Sequence, residues 1–428
     1  MNNPIGVAAR GKGVLNAARR ALVISRRYGF TPRKMDAALS HFAKLLAEYY
    51  ASATFPIPAS VVARNPGVIE KYQGPNIEYA VHGYYHVDHK QLSLETQLAH
   101  FSSARKIFES RGLTSYGFRA PYLRGNSDTL TAVIQTGFSY ETTQGIVWDV
   151  LNGNETDSFK QVLPFYGAIS AKDYLAVPRW KNGLVEIPYC LPDDESLIDR
   201  LQFDSPQAMN IPWLAILEET YRRGELFSLG LHPERIYLCE TPLRQTLKAA
   251  RQLFPSVWLA RLDVIASWWV NRTNSQVTIR DEGQGWLHID IEGPQGLTIL
   301  TRNINTKAES KDWDGVYCLV NENSFTVQSE RRPFIGVSPT SDEYLSSFLS
   351  QQGYIVETAQ DDRSHSFFFH REKFERNEEK PLIEGIESSA EPLVRLGRWP
   401  DGARSAMCVT GDIDALTIWD YYSRFIGK

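Results

Sequence analysis

The sequence predicts an α/β barrel or layered sheet, followed by a smaller β-rich region. Between residues 31 and 270, patterns typical of amphipathic helices alternate with short apolar runs typical of strands. After residue 270, short runs that alternate apolar and polar residues are separated by glycine-bearing turns. The chain has 428 residues, of which 43% are hydrophobic, so it can bury more than one core.

Three helices are predicted in the first half of the chain from their caps and apolar stripes. Thr31 suits an N-cap and Pro32 the first helical position, and one stripe follows: Met35, Leu39, Phe42, Leu46 and Tyr49. A second helix begins near Ser93 and ends at Gly112. A third covers about 127–136, and a strand over 138–142 follows it. These helices are structural, and they separate the strands whose ends carry polar residues.

Two histidines follow a short apolar run, residues 77–81, that predicts a buried strand. His82 lies at the strand end and His86 four residues later, within reach of one ion if the chain turns there. Two neutral imidazoles suit a zinc-like divalent metal, but an open tetrahedral site still needs an acidic ligand. Asp88 and His89 are a local source of that donor. The structural alternative is a packed His82 with solvated neighbours.

Two aspartates near the end of the chain are a second source of the acidic ligand. Asp412 and Asp414 follow the apolar run 406–409 and lie two positions apart, so their carboxylates project to the same side. One carboxylate can bind a metal while the other stays free to take a proton. The two ends of the chain would then complete one site.

Several motifs resemble those of the polysaccharide deacetylases with a NodB-like domain. His82-Gly-Tyr-Tyr-His86 matches their metal-binding H-x-x-x-H motif, and Phe118-Arg119-Ala-Pro121-Tyr122 matches their R-x-P-Y motif. Leu229-Gly-Leu-His232-Pro233 matches the late leucine-histidine motif, in the family's order. Residues 53–57 also resemble the family's second strand. The resemblance implies a distorted (β/α) barrel.

The family's aspartate motif is not in its usual place ahead of the histidines. Residues 399–414 resemble the opening of such a domain instead, which indicates a circular permutation in which the strand at 404–414 joins the N-terminal sheet. A fragment cut from a longer two-domain protein would give the same sequence. We therefore expect a deacetylase-like barrel at 1–270, completed by 398–428, a β-rich, sandwich-like domain at 271–370 and a linker at 371–397.

The resemblance also implies roles for individual residues. Asp412 would be the catalytic base, and Asp414, His82 and His86 would bind a divalent metal, usually zinc. Arg119 would pair with the base and His232 would act as the acid, while Pro121 and Tyr122 would contact the substrate. Ile413 separates the two aspartates, which are adjacent in the family, so their roles could be exchanged. The structural alternatives are a buried salt bridge for Arg119 and a core histidine for His232. The acidic cluster 193–195 is expected to be a solvated loop.

The implied activity is metal-dependent removal of N-acetyl groups from an amino-sugar glycan or glycan precursor. The alternatives are an amidase that acts on a non-glycan small molecule and a catalytically inactive glycan-binding protein. The expected partner is an N-acetylated carbohydrate, and a homodimer is a further expectation. A net charge of -4 offers no general attraction to nucleic acid or anionic membranes. Without an apolar run of about 18 residues or a signal peptide, a cytoplasmic location is expected.

Overall fold

The structure is a computed structural model that describes residues 27–114 and 116–426; residues 1–26 of the predicted first domain lie outside it. None of the helices described here combines the length and the apolar composition that a membrane crossing requires. The α-helices are α1 (Arg33–Glu48), α2 (Ala59–Arg64), α3 (Pro66–Tyr72), α4 (Leu94–Ser110), α5 (Ser127–Gln135), α6 (Asp157–Tyr166), α7 (Pro206–Arg223), α8 (Ile236–Gln252), α9 (Leu262–Thr273), α10 (Glu343–Gln351), α11 (Glu379–Ser388) and α12 (Ile418–Ile426).

The three helices predicted in the first half of the chain are α1, α4 and α5. Helix α1 buries the predicted stripe, including Leu39 and Phe42. The Ser93 side chain accepts a hydrogen bond from the Thr96 backbone N–H at the start of α4. Asn126 and Thr129 form a capping box at the start of α5. Caps and stripes are local signals, so the sequence predicts these helices to within about two residues.

A twelve-stranded sheet curls into a half-barrel with flanking helices, which confirms the predicted distorted (β/α) barrel. Every pairing in it is parallel except β7 with β8. Its first eleven strands are β1 (Ala53–Ile57), β2 (Ile77–Val81), β3 (Gly117–Phe118), β4 (Tyr140–Glu141), β5 (Gly145–Val147), β6 (Ile169–Ser170), β7 (Arg179–Lys181), β8 (Leu184–Glu186), β9 (Tyr189–Leu191), β10 (Leu226–Leu231) and β11 (Val257–Leu259).

The region after residue 273 contains three smaller sheets. Its strands are β12 (Gln276–Gly283), β13 (Trp286–Glu292), β14 (Ile299–Arg302), β15 (Asn305–Thr306), β16 (Ser310–Asp312), β17 (Cys318–Val320), β18 (Ser324–Gln328), β19 (Arg332–Val337), β20 (Val356–Thr358), β21 (His365–Phe369) and β22 (Leu393–Leu396). The antiparallel sheets β12-β13-β18-β15 and β16-β17-β14-β22 share one apolar cluster, as a sandwich does.

The third sheet, β20-β19-β21, is parallel, with α10 between β19 and β20. The sequence does not predict it, because five of the six residues of β19 are buried and no polar alternation marks the strand. The predicted linker, residues 371–397, also differs from the structure. It forms α11 and β22, and β22 pairs with β14. Charged residues on the exposed face of α11 surround a short buried stripe that includes Leu382 and Ile386.

The last strand, β23 (Ser405–Gly411), lies in the middle of the barrel sheet. The sheet order is β6-β5-β9-β10-β23-β1-β2-β3-β4-β8-β7, and β11 also pairs with β23. All seven residues of β23 are buried. Met407 and Val409 pack in the main barrel core, whereas Ala406 and Cys408 pack in a cluster that the barrel shares with the β-rich region. The two regions thus share a core, and the predicted boundary at residue 270 stays a prediction.

We predict that Met407→Ala lowers the free energy of unfolding by about 2–5 kcal/mol, because it leaves a cavity beside a fully buried strand. The control, Leu238→Ala, removes an apolar side chain that is 55% exposed on α8, and it should change stability by less than about 0.5 kcal/mol. Urea unfolding measures both variants. Equal, small effects would mean that β23 does not occupy the centre of the sheet.

Candidate metal and catalytic site

Four strands of the barrel end at one edge of the sheet, and each is followed by a predicted site residue. His82 follows β2, Arg119 follows β3, His232 follows β10 and Asp412 follows β23. Three backbone hydrogen bonds continue the parallel ladders past the strand ends: His82 N to Ile57 O, Arg119 N to Val81 O and Asp412 N to Leu231 O. The backbone of the site is therefore held by the sheet itself, at the end where barrel enzymes carry their chemistry.

The three predicted metal ligands lie together. One side-chain donor atom from each of His82, His86 and Asp414 lies within 4.8 Å of the others. Asp414 Oδ1 is 3.0 Å from His86 Nε2 and 3.9 Å from His82 Nε2. The Nδ1 atom of His82 is 2.8 Å from the Arg119 carbonyl oxygen, which accepts a hydrogen bond from the Nδ1–H. The Nε2 lone pair is then directed at the cluster. Two imidazole nitrogens and one carboxylate oxygen fit a divalent metal.

The charge states of these ligands also suit a metal. Burial lowers the pKa of His82 to about 4 and also lowers the pKa of His86, so both rings are neutral at pH 7. Burial favours the neutral form of the Asp414 carboxyl, but His86, His232 and Arg424 together outweigh it and hold its pKa well below the usual range. Neutral imidazoles and an ionised carboxylate are the forms that bind a cation.

A tight turn after His82 brings His86 back towards the cluster. Gly83 has a φ of +78°, and a Cβ there would lie 2.6 Å from Cε1 of His89 and 2.8 Å from the Tyr85 carbonyl oxygen. The turn therefore requires glycine, both for its backbone angle and for the space under it.

The two local candidates after His86, Asp88 and His89, do not join the cluster. His89 is fully buried and packs against the rings of Phe101 and Phe118. Asp88 accepts a 2.8 Å hydrogen bond from Arg124 instead. Among the described residues, the donor set that lies together is the one that uses the C-terminal aspartate.

The other aspartate, Asp412, is paired with Arg119. The fully buried Arg119 donates from Nη1 to Asp412 Oδ1 at 2.5 Å and to Thr410 Oγ1 at 3.0 Å. Ile413 is fully buried, and its backbone N–H donates to the Pro56 carbonyl. Because the chain is extended there, a buried residue between the two aspartates directs both carboxylates to the cavity side. Asp412 Oδ2 lies 3.9 Å from His82 Nε2.

His232 is held by an aspartate that the sequence analysis placed in a solvated loop. That placement is wrong: Asp193 and Asp194 are buried. Asp194 accepts from the His232 backbone N–H at 2.7 Å and from Nδ1 at 2.8 Å. Burial alone would lower the pKa of His232, but the Asp194 carboxylate outweighs it and raises that pKa to about 10. The ring is thus an imidazolium at neutral pH.

A sequence signal for Asp194 does exist. The acidic cluster follows the strand β9 directly, as the other site residues follow their own strands. Its acidic composition alone suggests solvent exposure, but Asp193 accepts from the Tyr189 hydroxyl and from the Ser196 backbone N–H. Position at a strand end is therefore the better guide to these aspartates.

Tyr122 has an unusual backbone conformation next to the metal ligands. Its φ is +60°, that of Leu123 is +52°, and the preceding Pro121 is buried. The Tyr122 ring meets the His86 ring edge-on, with centroids 4.5 Å apart. Left-handed backbone at a non-glycine residue is strained and tends to occur where a side chain must be aimed.

One cavity of about 920 Å³ contains these groups. Its volume lies within the range usual for small-molecule sites. The sequence analysis did not identify the lining residues Arg27, Tyr189 and Arg424, which carry no motif. The walls include Arg27, His82, His86, Tyr122, Phe165, Tyr166, Tyr189, Asp193, Glu195, Arg200, His232, Asp412, Asp414, Tyr421 and Arg424.

Comparison with known proteins finds a family match in the first part of the barrel. Residues 33–140 match the family model described as polysaccharide deacetylase. The predicted family resemblance is confirmed for this segment. The match supports a hydrolase that acts on amide bonds. Among proteins of curated function, none matches the sequence significantly.

Ten solved chains match this one significantly, and two of them serve as examples. One is described as a probable polysaccharide deacetylase from Pseudomonas aeruginosa PAO1, with 21% identity, a TM-score of 0.43 and coverage of 54% of this chain and 72% of that one. The other is Puue allantoinase, with 20% identity, a TM-score of 0.43 and coverage of 54% and 72%.

We predict that Asp194→Asn lowers the pKa of His232 in the metal-free protein from about 10 to below 6.5, because burial then dominates. NMR titration of the ring protons measures this shift. The folded-state pKa lies above the usual 6.5, so the pair stabilises the fold fully below pH 6.5 and less as pH rises through about 10. The stability lost in the variant should therefore shrink at alkaline pH.

The control is Asp193→Asn, since Asp193 makes no hydrogen bond to the His232 ring among the described contacts. It should leave most of the elevation of the His232 pKa in place. Equal shifts in both variants would show that general burial, and not the Asp194 contact, sets this pKa.

Proposed function

We propose that the protein is a metal-dependent hydrolase that removes the acetyl group from an N-acetylated sugar. One observation carries the proposal: the His82, His86 and Asp414 donors, the Arg119–Asp412 pair and the His232–Asp194 pair meet at one cavity. A carboxylate base, a protonated acid and a cluster of metal-binding donors are the groups that metal-dependent amide hydrolysis needs.

His82, His86 and Asp414 would hold the cation, for which zinc is the best candidate given two nitrogen donors and one oxygen donor. When bound, such an ion polarises the amide carbonyl and lowers the pKa of water. The hydrogen bond from His82 to the Arg119 carbonyl fixes the ring that would bind it. All three side chains are at least 88% buried, which limits competing water.

Asp412 would take the proton of the attacking water. Arg119 occupies Oδ1, so Oδ2 remains on the side of the histidine cluster. The hydrogen bond from the arginine fixes the orientation of this carboxylate. As water oxygen bonds to the carbonyl carbon, its proton passes to this carboxylate.

His232 would supply the proton that the departing amine requires. Its Nδ1 is bound to Asp194, so Nε2 is the atom that can donate. The elevated pKa keeps the ring protonated at pH 7. When the C–N bond breaks, the nitrogen takes this proton, and acetate and a free amine result.

We also propose that the order of the chain reflects a circular permutation. The strand before the aspartates pairs with β1 and β10, although it comes last in the sequence. The histidine motif near the start and the aspartate motif near the end would then belong to one ancestral domain. The predicted domain boundaries, 1–270 completed by 398–428, follow from the same rearrangement.

We predict that His86→Ala abolishes zinc binding and acetate release, because two remaining ligands hold the ion too weakly. Zinc per chain, measured by atomic absorption after dialysis, should fall below about 0.1. Acetate release from a panel of N-acetylated sugars is measured in parallel.

The matched control is His89→Ala, which removes a buried histidine three residues after His86 that does not belong to the donor cluster. It should bind zinc normally even if the protein is less stable. Zinc loss in His89→Ala with zinc retention in His86→Ala would favour the alternative in which Asp88 and His89 supply the local metal ligands. Binding of the sugars without acetate release in the zinc-loaded wild type would favour a glycan-binding protein.

We predict that Asp412→Asn retains zinc and lowers kcat by about 10²- to 10⁴-fold, the usual contribution of a general base. Asp414→Asn should lose both zinc and activity. Zinc content and acetate release separate the two effects. The reverse pattern would exchange the roles of the two aspartates, and activity on small amides but not on any N-acetylated sugar would favour the non-glycan amidase.

A further inference from the structure

Tyr189, the first residue of β9, lies between the two charged pairs of the cavity. It is 2% exposed and forms part of the cavity wall. Its ring contacts Arg119, the partner of the proposed base, and its hydroxyl binds Asp193, the neighbour of the aspartate that holds His232. One buried side chain therefore contacts the supports of both the base and the acid.

The ring of Tyr189 covers one face of the Arg119 guanidinium. The guanidinium carbon lies 4.6 Å from the centroid of the ring. The nitrogens of Arg119 donate hydrogen bonds to Thr142, Thr410 and Asp412. Hydrogen bonds along the edges fix the group within its plane, and a ring against one face opposes tilting out of that plane. The ring thus helps to hold the donor that orients Asp412.

The hydroxyl of Tyr189 acts on the other pair. It donates to Asp193 Oδ2 at 2.8 Å, and the Ser196 backbone N–H donates to Oδ1 at 2.8 Å. Asp194 follows directly, and its carboxylate holds both the backbone and the ring of His232. Because both oxygens of Asp193 are bound, the start of the turn from which Asp194 projects is fixed.

A glycine on the neighbouring strand makes room for this tyrosine. A Cβ at Gly230, in β10, would lie 1.8 Å from the Tyr189 hydroxyl oxygen and 2.1 Å from Cζ. The φ of Gly230 is not positive, so the position requires glycine for space and not for its backbone angle. Even alanine at residue 230 would displace the tyrosine from its two partners.

We propose that Tyr189 is a positioning residue that holds the base and the acid in a fixed relation to each other. Its ring holds Arg119 against Asp412, and its hydroxyl holds Asp193 and thereby the turn that orients His232. This inference rests on the proposed hydrolase function, in which the base serves the attacking water and the acid serves the departing nitrogen. Both groups must reach one bound amide, so their relative placement limits the rate.

Three variants separate the ring from the hydroxyl. Tyr189→Phe removes the hydroxyl alone, Tyr189→Leu also removes the ring face, and Gly230→Ala displaces the whole side chain. The matched control is Tyr140→Phe. Tyr140 is also fully buried, donates to the buried Glu78 carboxylate and lies over a glycine, Gly117, but it does not line the cavity. Acetate release gives kcat and KM, and zinc content and urea unfolding are measured on the same proteins.

We expect Tyr189→Phe to lower kcat about tenfold, and Tyr189→Leu and Gly230→Ala to lower it about 10²-fold, because small displacements of catalytic groups slow the reaction. KM and zinc content should change little, since the substrate and metal contacts remain. Tyr140→Phe should lose stability in the same way as Tyr189→Phe but keep the kcat of the wild type.

A readout that does not depend on turnover comes from NMR of the zinc-free proteins. Exchange with solvent is measured for the His232 Nδ1 proton and the Arg119 Nε proton, which donate to Asp194 and Thr142. Tyr189→Phe should accelerate exchange at His232 alone, whereas Tyr189→Leu should accelerate it at both sites. Tyr140→Phe should change neither rate.

Equal losses of kcat in Tyr189→Phe and Tyr140→Phe would overturn the inference, because general stability would then explain both. Unchanged kcat in Tyr189→Leu, or a loss expressed only in KM or zinc content, would also overturn it. If wild type releases no acetate from any sugar, the proposed hydrolase fails. The two exchange rates then still decide whether Tyr189 holds both pairs.

Discussion

Backbone hydrogen bonds along β23 join the two ends of this chain. The strand pairs in parallel with β10 over six residue pairs and with β1 on its other side, so it fills the centre of the sheet. Without it, β1 and β10 would present unpaired edges and exposed apolar faces. The same strand delivers Asp412 and Asp414 to the histidines, and the stability of the barrel and the composition of the site therefore depend on one pairing.

The charged groups of the site are organised as buried pairs, each with one member deeper than the other. Arg119 is fully buried beneath Asp412, and Asp194 is fully buried beneath His232. Such pairs are costly to bury and are retained where orientation and charge state matter. Here the deeper member orients the group that faces the cavity, and Asp194 also keeps His232 protonated at neutral pH.

Two features that lower the stability of the fold lie at the cavity. The Tyr122 backbone is strained, and the guanidinium of Arg424 is buried away from any carboxylate among the described residues. The lining comes from the barrel segments 27–232 and 412–424. The β-rich region packs behind the barrel, where the two share the cluster that contains Trp269 and Trp399. No described residue of that region lines the cavity.

The sequence by itself determined the local parts of this protein. Helix caps, the stripe of α1, the strand before His82 and the H-x-x-x-H spacing act over a few residues, so the pattern alone predicted them. The same holds for the two aspartates, since a period of two places both on one side of a strand. The local rules failed for β19, α11 and Asp194, where burial on both faces or a distant partner overrides the composition.

Only the tertiary structure decided which distant groups meet. Arg119 and Asp412 are 293 positions apart, and neither residue marks the other in the sequence. Asp194 is buried because His232 lies above it. Ion pairing and parallel strand pairing depend on the path of the whole chain through space. Which residues pair can therefore be determined only from the assembled sheet.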